Sequence, residues 1–158
     1  MKRITTILAT ALILVFCSSC EKDPVNEWSR FFGFTKDDVI GHYEPNPDES
    51  LYEELPTAGV KVYSDAVIDV VPLSDNLVSI RIRIPSVPLN KVFSGTIYSE
   101  SSNSDIVLSN GNDDIRMTVY KNDKGQVRFH GRQKRYIYGP TYEVVDSDNY
   151  GFDVIREE

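Results

Sequence analysis

Hydrophobic and polar residues alternate over most of the chain after its first forty residues. In "LVSIRIRIP", every second residue from Val78 to Ile84 is valine or isoleucine, and the residues between them are serine or arginine. A period of two residues is typical of a strand that lies half-buried in an antiparallel sheet. Pro85 and Pro88 end the strand.

The same alternation predicts further strands near residues 41–45, 60–71, 91–99, 105–109, 114–121, 126–132, 136–145 and 150–156. Sequences that favour turns lie between them, among them "PLSDN", "NGND", "KNDKGQ" and "DSDNYG". The intervals leave no room for the crossover helices of a parallel sheet. We therefore predict an all-β domain, a single antiparallel meander of about eight or nine strands that forms a barrel or a sandwich.

Aromatic residues at helical spacing precede the first strand: Trp28, Phe31 and Phe32. They predict a short N-terminal helical turn that Gly33 ends. Thr35 and Asp38 form a capping-box pattern for a second turn through Ile40. We interpret the rings as the closure of one end of the core, with an aromatic ligand platform as the alternative.

The N-terminal "MKRITTILATALILVFCSSC" has two basic residues, an apolar run and then small residues before Cys20. This order is typical of a secretory signal peptide, and the run is shorter than the ~20 residues of a transmembrane helix. "CSSC" resembles a bacterial lipobox, although Cys17 stands where that family most often has leucine. The resemblance implies that Cys20 becomes the first mature residue and carries a diacylglycerol and an amide-linked acyl chain, such as palmitate.

Other roles for the two cysteines lack support. A thioredoxin-like C-x-x-C pair needs a βαβ context, and a structural zinc site needs four ligands. Neither accompanies Cys17 and Cys20. We therefore divide the chain into a lipoprotein signal peptide at 1–19, a lipidated cysteine and tether at 20–27, and a β-domain at 28–158.

The tether "EKDPVNE" is polar and lacks periodicity. Its acidic residues resemble the export signal of Bacteroidetes lipoproteins, which implies the outer face of the outer membrane. A solvated linker is the alternative. In either case we expect a lipid anchor in the cell envelope, attached to the outer membrane.

"GHY" at residues 41–43 is similar to the G-x-W opening of lipocalin-like barrels, with Tyr43 in place of tryptophan. "GHYEPN", "VFSGTI", "VYKNDKGQVRFHGR" and "GFDVIRE" resemble small uncharacterised Bacteroidetes cell-envelope lipoproteins. This resemblance covers most of residues 31–156. It implies an envelope β-domain with no established activity.

The net charge of −7 argues against nucleic-acid binding, which needs a basic surface, and removal of Lys2 and Arg3 makes the chain more acidic. The lipid, not charge, must therefore hold it at a membrane. G-x-S-x-G and glycine-rich phosphate loops are absent from the sequence. His42 and His130 have no partners at metal-ligand spacing. We predict no enzyme activity, no metal site and no cofactor.

Two acidic stretches, "DSDNYG" and "NGNDD", offer oxygen atoms to a calcium ion. Neither is followed by a glutamate at EF-hand spacing. The same residue types form β-turns for conformational reasons. We interpret both stretches as turns, with calcium binding as the alternative.

A basic island with tyrosines, "VRFHGRQKRYIYGPTY", stands out in this acidic chain. Tyrosine rings stack on sugars or apolar groups, and arginines hold carboxylates or sulfates. The candidate ligand-binding residues are His130, Arg132, Arg135, Tyr136, Tyr138 and Tyr142. The alternative is that the arginines pair with acidic residues on neighbouring strands while the tyrosines pack on the sheet.

These observations predict a membrane-anchored envelope lipoprotein that acts as a non-catalytic binding module for a glycan or a small apolar ligand. The alternative is a protein–protein interaction subunit of an envelope complex. An exposed apolar patch would favour that alternative.

Overall fold

The computed structural model describes residues 28–47, 60–97 and 101–158. The predicted signal peptide, Cys20 and the tether lie outside these residues. The described residues form one helix, α1 (Lys36–Val39), and ten strands. The strands are β1 (Ser29–Arg30), β2 (Gly41–Pro45), β3 (Lys61–Val62), β4 (Val67–Pro72), β5 (Leu77–Ile84), β6 (Leu89–Thr96), β7 (Asp105–Asn110), β8 (Asp113–Lys121), β9 (Val127–Tyr138) and β10 (Val144–Arg156). No helix in the described ranges has the length and apolar character needed to cross a membrane.

All ten strands belong to one sheet, in the order β1-β8-β9-β10-β2-β4-β5-β6. β7 also pairs with β8, and β3 pairs with β10 in the one parallel pairing of this sheet. The chain thus forms two meanders, β4 to β6 and β7 to β10. β2 joins them, because it lies between β10 and β4. The predicted all-β antiparallel class is confirmed.

The two meanders meet again at a seam between β6 and β7. Across it, the Asn110 side-chain amide donates to the Val92 carbonyl oxygen at 2.9 Å, and Gly95 packs against Leu108. Within the described residues, no backbone ladder joins β6 to β7. The sheet therefore curls around its core without closing into a barrel. Barrel closure, one form of the prediction, is wrong.

The inner face of the sheet encloses one hydrophobic core, and we call the opposite side the outer face. Alternation places Val78, Ile80, Ile82 and Ile84 of β5 in the core, each fully buried. The Tyr43 ring stacks on Phe129 with 4.1 Å between centroids. Its hydroxyl donates to the Val39 carbonyl oxygen at 2.8 Å, so this buried polar group is satisfied.

Helix α1 begins as its sequence predicts. The Asp38 carboxylate accepts hydrogen bonds from the Thr35 backbone N–H at 2.8 Å and from its hydroxyl at 2.7 Å. The turn predicted from Trp28 to Phe32 is wrong, because Ser29 and Arg30 form β1 against β8. A single helical turn fixes the backbone of several residues for one hydrogen bond. The edge of β8 instead offers backbone hydrogen-bond partners to each residue that pairs with it.

The hairpin of β9 and β10 also differs from the prediction. The strand predicted at 126–132 continues through residue 138 as β9, so the strand predicted at 136–145 begins inside β9 and ends inside β10. The chain turns at residues 139–143, where the Gly139 N–H donates to the Glu143 carbonyl oxygen at 2.8 Å. "DSDNYG" is not a turn but part of β10, with a register shift between Val144 and Asp146. Continuous pairing with β9 overrides its local turn preference.

The strand predicted at 60–71 is divided into β3 and β4. Asp65 lies in the break. Its carboxylate accepts hydrogen bonds from the Ser86 hydroxyl at 2.9 Å and from the Ser86 backbone N–H at 2.5 Å. This contact connects the break to the turn after β5.

Candidate functional site

The outer face of β7, β8 and β9 carries a groove with two arginines at its centre. Arg116 of β8 lies directly opposite Arg132 of β9 in the strand register. Two adjoining depressions, of about 190 Å³ and about 330 Å³, share both arginines. We call these depressions together the outer groove. The first is also lined by Val107, Asp114, Lys134 and Tyr136, and the second by Val60, Met117, Thr118, His130 and Gly131.

Strand alternation places the arginines outside. Ile115, Met117 and Val119 of β8 are fully buried in the core, so Arg116 between them points outward. Phe129 of β9 is likewise buried, and Arg132 has the opposite parity. The hydrophobic pattern that builds the core therefore also fixes the direction of both guanidinium groups.

Arg116 and Arg132 make no ion pair in the part of the chain that the structure describes. Other basic residues do: Arg128 pairs with Asp153, Lys91 and Arg135 with Asp113, and Arg83 with Asp69. Like charges that lie directly opposite on paired strands destabilise a sheet. The outer groove is thus a local positive site in a chain of net charge −7.

Tyrosines border the first depression. The Lys134 ammonium lies 4.6 Å from the Tyr136 ring centroid, and the Tyr136 and Tyr138 rings lie 6.4 Å apart at a 40° tilt. Hydrogen bonding to the Asp114 carboxylate raises the pKa of Tyr136 above its ordinary value. This hydroxyl is therefore protonated at neutral pH. Two tyrosine rings and the Lys134 ammonium thus stand beside the arginines.

His130 borders the second depression but is also bound to the sheet. Its Nδ1 lies 2.7 Å from Asp153 Oδ2. Burial by itself would raise the pKa of Asp153, but hydrogen bonds from His130, Arg128 and Asn46 outweigh it and hold that pKa below its ordinary value. Asp153 is therefore ionised and restrains the His130 ring at the groove edge.

The structure separates two of the sequence-predicted residues from this groove. Arg135 has its Nε 3.4 Å from Asp113 Oδ1, on the inner face near Lys91 and Gln133. Tyr142 lies at the hairpin tip, is 87% exposed and has φ of 63°. Arg132, Tyr136 and His130 come together, with Tyr138 next to Tyr136.

Sequence analysis missed Arg116, the partner of Arg132. A signal existed, because the hairpin turn "KNDKGQ" pairs Lys121 with Val127. Counting five residues outward from this pair along both strands brings Arg116 opposite Arg132. Val60 and Val107 gave no such signal.

Of the two acidic stretches predicted as turns, "DSDNYG" lies in β10 and "NGNDD" forms a turn. "NGNDD" does contain the turn between β7 and β8, with Gly111 at φ of 62°. Asp113 of that stretch is engaged by Lys91 at 2.7 Å and by Gln133 at 2.8 Å. Its oxygens are thus occupied by basic and amide partners.

Comparison of the chain with protein-family models, curated proteins and solved structures finds no match.

Proposed function

We propose that this protein is a lipid-anchored envelope lipoprotein and a non-catalytic binding module, and that it captures an anionic glycan in the outer groove. One observation carries the binding proposal: Arg116 and Arg132 lie opposite each other with no carboxylate partner among the described residues. A sulfate or carboxylate between them relieves their repulsion. The lipid anchor on Cys20 rests on the sequence alone.

The chemistry of the groove favours a charged sugar over a small apolar ligand. Guanidinium groups bind carboxylates and sulfates through paired, charge-assisted hydrogen bonds. Tyr138, which is exposed, and the half-buried Tyr136 offer ring surface on which sugar rings can stack. Charged and hydroxyl groups occupy much of the wall of the first depression. The acidic remainder of the surface repels anions and directs them to this groove.

Thermal unfolding of the full-length chain in detergent tests the site. A sulfated glycan and a polyuronate should each raise the unfolding midpoint, whereas a neutral glycan should not. At a hundredfold excess over the dissociation constant the stabilisation is ~2.7 kcal/mol.

Arg116→Gln and Arg132→Gln should abolish this rise. Arg81→Gln is the matched control, because Arg81 is also exposed on a strand but lies on β5, away from the groove. A rise that persists in the double variant would contradict the proposal.

A second candidate function is contact with another envelope protein, and the tip of the β9–β10 hairpin favours it. Ile137, Tyr142, Val144 and Val145 are exposed there. An exposed apolar tip of this kind is typical of a protein contact. Cross-linking from Tyr142 in intact cells distinguishes the two functions. A protein adduct that Tyr142→Ser removes supports a protein contact at the hairpin tip. Glycan binding that Tyr142→Ser leaves unchanged shows that this contact is separate from the outer groove.

A further inference from the structure

A histidine and several carboxylates meet on the outer face of β2, away from the outer groove. His42 Nδ1 lies 2.6 Å from Asp69 Oδ1 on β4, and His42 Nε2 lies 2.6 Å from Glu44 Oε1. His42 and Glu44 are two residues apart on one strand, so their side chains share a face.

The segment after β10 brings in a third group. The Glu157 backbone N–H donates to the His42 carbonyl oxygen at 2.9 Å, which places Glu157 beside β2. One ligand atom from each of His42, Glu44 and Glu157 lies within 4.8 Å of the other two. In the described part of the chain, this is the group whose atoms could converge on one ion.

We propose that His42, Glu44 and Glu157 bind a divalent transition-metal ion of the zinc type. One imidazole nitrogen and two carboxylate oxygens form a ligand set that such ions take, with a further position left to water. The two glutamates supply two negative charges, which a divalent cation balances. The imidazole favours zinc over calcium, which prefers oxygen ligands alone.

The partners of Asp69 support this assignment. Metal-bound histidines usually donate their second ring N–H to a carboxylate, which fixes the ring and its tautomer. Asp69 stands in that position at Nδ1, and Arg83 Nη2 in turn binds Asp69 Oδ2 at 3.0 Å. Arg83 therefore neutralises the orienting carboxylate and leaves Nε2 of His42 directed toward Glu44.

Zinc would take the place of the proton between His42 Nε2 and Glu44 Oε1; this proton leaves to the solvent and the two atoms move apart. Zinc bonds of about 2.0–2.2 Å in tetrahedral geometry separate two ligand atoms by roughly 3.3–3.5 Å. His42 and Glu44 lie closer than this, at 2.6 Å, with a hydrogen between them. Their side chains are 36% and 43% exposed, so both have space to open around an ion.

Sequence spacing had indicated no metal partner for His42. The fold supplies Glu157 from the far end of the chain, and this site does not depend on the outer groove.

Zinc titration by calorimetry tests the proposal on the full-length chain, purified in detergent without a histidine tag and stripped with chelator. We expect one equivalent of zinc to bind at this site. His42→Gln and Glu157→Gln should each weaken this binding at least about tenfold, and Asp69→Asn should weaken it by ~10–100-fold without removing it. Cobalt(II) should give a visible absorption band that His42→Gln removes.

Glu158→Gln is the matched control, because Glu158 is an exposed neighbour outside the group. Each variant is checked for an unchanged unfolding midpoint in chelator, so that loss of binding is not loss of fold. Zinc affinity that is equal in wild type and His42→Gln would overturn the site. Calcium affinity equal to that of zinc would overturn the assigned ion class.

Discussion

The Arg128 guanidinium and the Asp153 carboxylate form an ion pair on the outer face of the sheet, yet their side chains are only 9% and 0% exposed. Trp28 and Tyr120 cover the guanidinium, with ring centroids 5.7 Å and 5.3 Å from its carbon. Asn46 adds a hydrogen bond of 2.8 Å to the carboxylate. The outer face therefore contains a desolvated charge pair next to the outer groove.

Asp153→Asn should lower the free energy of unfolding by about 3–5 kcal/mol, because it leaves a buried guanidinium without a counter-charge. Urea unfolding followed by circular dichroism measures this change. Asp123→Asn, in the exposed turn after β8, is the control and should stay within about 0.5 kcal/mol of wild type. A small effect at Asp153 would mean that water reaches the pair.

Acid should weaken the fold through the same carboxylate. The pKa of Asp153 is lowered in the folded state, so its contribution is complete above the unfolded pKa of about 3.9. The contribution falls as the pH drops below that value and is gone below the folded pKa. Urea midpoints measured from neutral to acid pH should therefore decline less steeply in Asp153→Asn than in wild type. Parallel curves would contradict the assignment.

Arg116→Gln should leave the unliganded fold as stable as wild type, or more stable by up to about 0.5 kcal/mol, because it removes repulsion from Arg132. Added sulfate salt should stabilise wild type more than the variant at equal ionic strength. Thermal unfolding in sulfate and in chloride measures the difference. A loss above about 1 kcal/mol in Arg116→Gln would show that Arg116 has a structural partner.

Gly131→Ala should destabilise the protein by about 1–3 kcal/mol. A methyl group there meets the Arg116 carbonyl oxygen and the Met117 Cα, which are backbone atoms that cannot turn away. Gly95→Ala is the matched control, because the atoms nearest to its methyl group all belong to the Leu108 side chain, which can rotate. Denaturant midpoints compare the two variants, and equal losses would refute the backbone argument.

Cys20→Ser should release the protein from the membrane fraction, because the acyl chains that we propose on Cys20 contribute about 0.8 kcal/mol per buried methylene and an acidic domain gains nothing from anionic lipid. Cell fractionation and mass spectrometry of the mature N-terminus measure this. Cys17→Ser is the control and should leave the anchor in place. Membrane association of Cys20→Ser would indicate another attachment.

Local patterns predicted much of the fold. The alternation from Val78 to Ile84 and the Thr35–Asp38 capping box each report on neighbours a few residues away, and the structure confirms both. The turn predicted at "DSDNYG" is wrong because the turn preference of these residues is smaller than the free energy of pairing with β9. Local sequence does not reveal β9 as the partner. The helical turn predicted from Trp28 is wrong for the same reason, because β8 supplies the hydrogen bonds of this segment.

The candidate sites divide along the same line. Arg132 and Tyr136 were visible as a basic and aromatic cluster, and the turn after β8 could have indicated Arg116. The meeting of His42 with Asp69 and Glu157 depends on β2 lying beside both β4 and β10, which no local pattern specifies. A site formed within one hairpin can thus be predicted from the sequence, whereas a site formed by a long-range strand pairing cannot.

The position of β2 between the two meanders has a kinetic consequence. Each meander consists of neighbouring hairpins, which form on a timescale of ~1–10 μs. The joint between β2 and β10 pairs residues that are more than a hundred positions apart in the chain, such as Tyr43 and Arg156. Closing so large a loop costs chain entropy before the contacts between β2 and β10 form and offset that cost. We therefore expect the refolding rate after dilution from denaturant to report the formation of this joint and not of the hairpins.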